Sequence, residues 1–275
     1  MRLLAVNYHY YRTELPTSGI HPITPRRFSE QISQLTARWK IVSELEFVSG
    51  FNAGDTRENE FCLITFDDGL KEQMKAIRWL VSQGLSAVCY VPTAPVIERR
   101  VLDVHKIHII RTLGSDIDLS KSLSMRFGAA FSKMDLGIAS HQYPYDSDDA
   151  RRVKYFLNFI LAPDARSEWV DEIFCRLAGD EEKVVEELYM DRDDLRELAQ
   201  YRMLGTHGHA HLPLAGMNAK VIQADIGHSL DVIEDITGLR VRGISYPYGG
   251  TDAHVGSHCG SVWNGFRIYN AQWRQ

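Results

Sequence analysis

The chain has 275 residues, 44% of them apolar and 24% charged, with a formal net charge of −5 from 36 acids against 31 bases. This composition excludes disorder, collagen and coiled coil. With no long run of either sign, it offers no electrostatic footprint for nucleic acid or an anionic membrane.

The opening MRLLAVNYHYY carries an apolar stretch too short for a secretory core or a bilayer span, so the expectation is a cytoplasmic protein. Leu3 to Tyr8 reads as a strand, and Thr24 with Pro25 reads as the N-cap and first turn of a helix whose apolar stripe is Phe28, Ile32, Leu35 and Trp39. Phe61 to Phe66 is a second strand. The stripe Met74, Ile77, Leu80 and Val81 then gives a helix ending at Gly84, followed by a strand over Ser86 to Val91. Cys62 and Cys89 lie in these apolar runs and are expected to be small buried hydrophobes. With Cys175 and Cys259, they show none of the close spacings of a zinc ribbon or redox dithiol.

From about 97 to 190 the alternation gives way to helical patterns such as Val153 to Ile160 and Trp169 to Leu177, which read as an insertion. A helix capped by Asn218 runs through Ile222, Ile226, Leu230 and Ile233 to Gly238, and Val241 to Tyr246 is the next strand. Strands alternating with helices imply a parallel α/β architecture in a single domain spanning 1–275. The segment 251–275 reads as short, either truncated or divergent.

Three clusters carry chemistry. In TFDDG, Thr65 to Gly69, adjacent carboxylates at a strand end lie where parallel sheets place ligands, and alternation on an extended chain gives Asp67 and Asp68 different directions. The plainer reading is that both cap a helix starting near Lys71. In GTHGHAHLPL, residues 205 to 214, His207 and His211 are four apart, the spacing of one side of a helical turn. With a strand-end carboxylate they supply three ligands to a divalent ion and leave a position for water. His209 is expected to face elsewhere. In RGISYPYGG, Arg242 to Gly250, proline stops the strand and glycines allow close backbone approach, although PYGG alone is a turn. His105 and His108 in VLDVHKIHII read as packing of the insertion.

Taken jointly, these clusters resemble the polysaccharide deacetylases, the NodB-homology family of carbohydrate esterases. TFDDG matches the first family motif, His207 and His211 the second, and Ser245 to Gly249 the third in its YPYG form. The resemblance implies a distorted, incomplete parallel (β/α) barrel. Asp67 would be the general base, Asp68, His207 and His211 the metal ligands, and the Tyr248 N–H part of an oxyanion hole, with Pro247 and Gly249 lining the substrate. The implied cofactor is a divalent metal, zinc foremost, with cobalt, nickel or iron as alternatives. The implied reaction removes an N-acetyl group from an amino sugar, and a cytoplasmic location points to a nucleotide- or lipid-linked precursor of a surface polysaccharide.

Three departures from the family pattern stand out: the insertion at about 97 to 190 sets Asp68 unusually far from His207, and two concern the chemistry. Ser245 occupies the position at which many relatives carry an arginine that orients the base. The family's fifth motif, a Leu, two residues and a His that supplies the general acid, is absent after Gly250, where His254 and His258 come too early. A non-catalytic metal- or glycan-binding relative, or a hydrolase of a non-sugar C–N amide, are therefore the alternative readings.

Overall fold

The β1 strand, Arg2–Tyr8, lies parallel to β3, Glu60–Asp67, with Arg2 opposite Glu60 and Tyr8 opposite Phe66. The structure is a computed structural model that describes residues 2–14, 16, 19–52, 60–249 and 266–268. The short β2, Lys40–Ile41, pairs with the first half of β3, while β4, Val88–Val91, pairs with its last three residues, Thr65 to Asp67. The sheet continues in parallel through β5, Leu204–Thr206, and β6, Gly243–Ser245, to β7, Phe266–Ile268. It forms the incomplete parallel α/β barrel expected from the sequence. Because every described pairing is parallel, the carboxyl ends of the strands gather at one end, where such sheets build their sites.

Alternation along β3 divides its side chains between two environments. Ile64 and Phe66 join Tyr8, Cys89, Val91, Leu204, Ile244 and Tyr246 in the main core. Against them pack α1, Pro25–Arg38, through Phe28 and Ile32, and α3, Gln73–Ser82, through Met74, Ile77 and Leu80. Leu63, Val88 and Tyr90 form a separate inner cluster with Leu3 and Ala5. Burial on both faces explains why β3 reads as a continuous apolar run. Since 63, 65 and 67 share a face, the Asp67 side chain is set on the inner side, level with its register partner Tyr90.

Thr24 caps α1 by accepting from the Arg27 N–H at 3.3 Å, and Pro25 occupies its first turn. The helix α2, Glu44–Asn52, follows β2, and α4, Ala94–Glu98, follows β4. The chain divides into two compact units, one made of Met1–Glu14, Pro22–Arg100 and Val185–Gln275, the other of Leu15–His21 and Val101–Val184. All the described strands belong to the first. The second contains α5, Asp103–Leu113, α6, Asp116–Ser132, α7, Leu136–Gln142, α8, Asp148–Tyr155, and α9, Pro163–Ala178. It has its own buried set, including Leu123, Phe131, Val153, Phe156, Trp169 and Phe174. His105 is fully buried on α5, with the His108 ring 6.1 Å away, in keeping with a packing role. The helices α10, Glu181–Leu188, and α11, Arg192–Tyr201, lead into β5. Finally, α12, Ala219–Thr237, is capped by Asn218 and ends at Gly238 in the left-handed region.

Two of the expected strands are shorter in the structure: Ser86 to Val91 begins at Val88, and Val241 to Tyr246 narrows to Gly243–Ser245. The helix expected to continue through Ile160 passes into a π-turn over Phe156–Ile160. The strands β2 and β5, at two and three residues, carry too little pattern to read from sequence. His254, His258 and Cys259 lie outside the described residues. Among the described residues no helix is long and apolar enough to cross a membrane.

Candidate active site

Asp68 leaves β3 with a φ of 76°, the left-handed region, and this backbone turn ends the strand's alternation. The turn is pinned by the Lys71 N–H donating to the Leu188 carbonyl and the Met190 N–H to the Gly69 carbonyl, each at 2.9 Å. The pleat therefore does not send Asp67 and Asp68 in different directions as the extended-chain reading expected. Both approach His207, whose Nε2 is 3.5 Å from Asp68 Oδ1 and 4.0 Å from Asp67 Oδ2. Neither carboxylate caps the following helix: α3 starts at Gln73, and no side chain caps its N-terminus.

His207 follows β5, and its backbone N–H donates to the Val91 carbonyl. Its ring Nδ1 lies 2.7 Å from the Ser245 carbonyl oxygen. A carbonyl only accepts, so Nδ1 carries the proton and Nε2 presents a lone pair toward Asp68. Burial lowers the pKa of this imidazole, against the opposing pull of Asp67, and so favours the neutral form that a ligand needs. His211 Nε2 is 3.3 Å from the same Asp68 Oδ1, and the two imidazole rings are 4.8 Å apart.

The spacing of His207 and His211 is not that of a helical turn. They stand on a loop in which Gly208 has φ of 76° and His211 of 55°, conformations that interrupt a helix. The loop is tied to the start of α4 by the Thr93 N–H donating to the Gly208 carbonyl and the Ala94 N–H to that of His209. The His209 side chain turns away from Asp68 as expected, meeting Thr93 Oγ1 at 2.9 Å and Glu98 Oε1 at 2.7 Å.

The donor set fits a divalent ion. One ligand atom each from Asp68, His207 and His211 lies within 4.8 Å of the others, and all three residues are buried. Tetrahedral coordination with bonds of about 2.0–2.1 Å separates ligand atoms by about 3.3–3.4 Å. The carboxylate-to-imidazole distances of 3.3 and 3.5 Å match that spacing.

Asp67 is oriented by neutral donors where an arginine was missing. Asn7 Nδ2 donates to Asp67 Oδ2 at 2.8 Å and Ser245 Oγ donates to the same oxygen at 3.0 Å. Sequence reasoning identified Ser245 only as a substitution and missed Asn7, whose contact depends on the β1–β3 register rather than on any motif. Arg242, three positions before Ser245, is exposed.

His9 is a further residue that the motifs did not reveal. It follows β1, its Nε2 is 3.9 Å from Asp68 Oδ2, and its side chain is 47% exposed. Its backbone is tied to that of Asp67 through Gln73, whose Nε2 donates to the His9 carbonyl at 2.8 Å and to the Asp67 carbonyl at 2.6 Å. The expected strand Leu3 to Tyr8 stops one residue before His9, and it lies far in the chain from the recognised clusters.

Beyond β6, Pro247–Gly249 forms a tight turn in which Tyr248 has φ of 60°. The Gly249 N–H donates to the Tyr246 carbonyl at 3.0 Å, and the Tyr248 ring stands edge-on to His211 with centroids 5.0 Å apart. The third cluster is thus brought to the imidazoles.

The polysaccharide deacetylase family model matches residues 171–260, the part that holds His207, His211 and the YPYG turn. Solved deacetylases share the fold. A Streptococcus pyogenes deacetylase PplD in complex with acetate has a TM-score of 0.56 at 12% identity, covering 95% of this chain and 80% of that one. A de-N-acetylase from Aggregatibacter actinomycetemcomitans has a TM-score of 0.55 at 12% identity, covering 97% and 87%. IcaB from Ammonifex degensii has a TM-score of 0.55 at 15% identity, covering 96% and 83%. No curated protein matches the chain significantly. The resemblance read from the motifs to the polysaccharide deacetylases is borne out.

Proposed function

We propose that this chain is a metal-dependent hydrolase that removes the N-acetyl group of an amino sugar. The observation that carries the reading is the convergence of Asp68, His207 and His211 on one point, with Asp67 held beside them by Asn7 and Ser245. A divalent ion held by those three residues would supply Lewis acidity toward the acetamide carbonyl and the attacking water. Zinc suits two imidazoles and a carboxylate, as do cobalt, nickel and iron.

The chain's own residues then divide the proton transfers. Asp67 takes a proton from the water as its oxygen attacks the carbonyl carbon. The Tyr248 N–H meets the oxyanion that develops, and Pro247 and Gly249 shape the wall beside it. The C–N bond breaks only if the departing nitrogen gains a proton. His9, exposed at the mouth and within 4 Å of Asp68, is assigned to donate it. Acetate and a free amine result.

The substrate assigned is an acetamido sugar, either within a saccharide chain or on a nucleotide- or lipid-linked precursor met in the cytoplasm. The test is acetate release from a panel of acetamido sugars, free, oligomeric and nucleotide-linked, by metal-depleted protein before and after zinc, cobalt or nickel is restored. Release that appears only with metal supports the proposal. A chain that takes up no metal, or releases no acetate from any member, defeats it, and a panel with cyclic amides and ureides identifies a non-sugar hydrolase instead.

A further inference from the structure

The geometry points to Asp225 as the positioning residue that fixes the spacing of the two imidazoles and thereby sets metal affinity; this rests on reading Asp68, His207 and His211 as metal ligands. Gly208, His209 and Ala210 separate the two histidines. The His209 N–H donates to Asp225 Oδ2 and the Ala210 N–H to Asp225 Oδ1, each at 2.9 Å. Both oxygens of one buried carboxylate thus hold consecutive peptide units of the ligand loop, in bonds strengthened by its charge.

The N–H of the third intervening residue reaches the same helix through a β5 hydroxyl. Gly208 donates to Thr206 Oγ1 at 3.1 Å, and that hydroxyl meets Ser229 Oγ at 2.5 Å, one turn along α12 from Asp225. The helix is a rigid reference because Ile222, Ile226, Leu230 and Ile233, beside Asp225 and Ser229 on its buried face, anchor it in the core. Close approach of the carboxylate also accounts for the glycine: a Cβ at 208 would lie 2.5 Å from Asp225 Oδ2, on a backbone at φ +76° that side chains resist. The loop therefore takes its shape from α12, and His207 and His211 at its ends inherit that shape.

The experiment is zinc affinity of the full chain, measured by competition with a chromophoric chelator, for wild type, Asp225→Asn and Gly208→Ala. The Asn variant keeps size but turns an amide N–H toward a peptide N–H. Loss of a group that orients metal ligands typically weakens affinity about 10–100-fold, which is the result expected for both variants, with the metal-free unfolding transition retained. Placed in a His211→Ala background, Asp225→Asn should weaken zinc binding no further, since with one imidazole gone there is no spacing left to fix; a general structural role would weaken both backgrounds equally. If Asp225→Asn does not fold, Gly208→Ala carries the same comparison. Wild-type affinity in the variants overturns the inference alone. A wild-type chain that binds no zinc overturns the metal reading and the inference with it.

Discussion

Glu44, the first residue of α2, is a carboxyl that the site does not use and that burial pushes up to about 7. Tyr90 and Arg242 face it, and the absence of a side chain at Gly243 leaves room for its carboxylate. The folded chain keeps this proton up to about pH 7, whereas the unfolded chain loses it near pH 4.5. Between those values the native state binds more protons, so this group's contribution to stability falls as pH rises. Glu44→Gln should then match wild type near pH 4 and exceed it above pH 7 by about 2 kcal/mol, a figure discounted for partial solvent access. Urea unfolding at the two pH values measures this, and an identical difference at both contradicts the assignment. At the same scale, the residues legible in the sequence were those that act together with near neighbours in the chain, namely Asp67 with Asp68, His207 with His211, and Tyr248 within YPYG. Asn7 and His9 were not, because each meets its partner across some sixty residues, Asn7 at Asp67 Oδ2 and His9 at Asp68.

Gln73, at the start of α3, shows how an element joins two strands. Its amide donates to the carbonyls of His9 and Asp67 and accepts from the Leu70 N–H at 3.1 Å and the Cys89 thiol at 3.5 Å. Those partners fix the amide's orientation, since carbonyls need the NH2 group and the N–H needs the oxygen. Gln73→Met conserves volume and removes all these bonds. It should lower turnover by about 10-fold or more by displacing His9 relative to Asp67, while zinc affinity stays near wild type, because the imidazoles are held from β5 and α12. Steady-state kinetics with zinc titration separates the two effects; weakened zinc binding with unchanged turnover runs against it. Amphipathic stripes made α1, α3 and α12 legible, with caps at Thr24 and Asn218. The loop at 207–211 was misread as helical because the four-residue spacing ignores Gly208's positive φ, a conformation set by contacts from α12.

The parallel sheet makes a single site out of distant segments. The ends of β1, β3, β5 and β6 contribute His9, Asp67 with Asp68, His207, and Ser245 in turn. The alternation of strands and helices gave this architecture from sequence. What it left open was the acid side of the reaction, which was sought after the third cluster because the family order places it there; the role proposed for His9, just after the first strand, would fill it from the other end of the chain. The proposed function divides residues that would hold a metal from residues that would move protons, and that division is the central claim. The most direct test is acetate release at equal zinc occupancy by wild type, Asp67→Asn and His9→Gln. Zinc stoichiometry should be unchanged in all three, with rates lowered by about 10²–10⁴-fold in each variant. An Asp67→Asn protein that releases acetate at the wild-type rate would contradict the division.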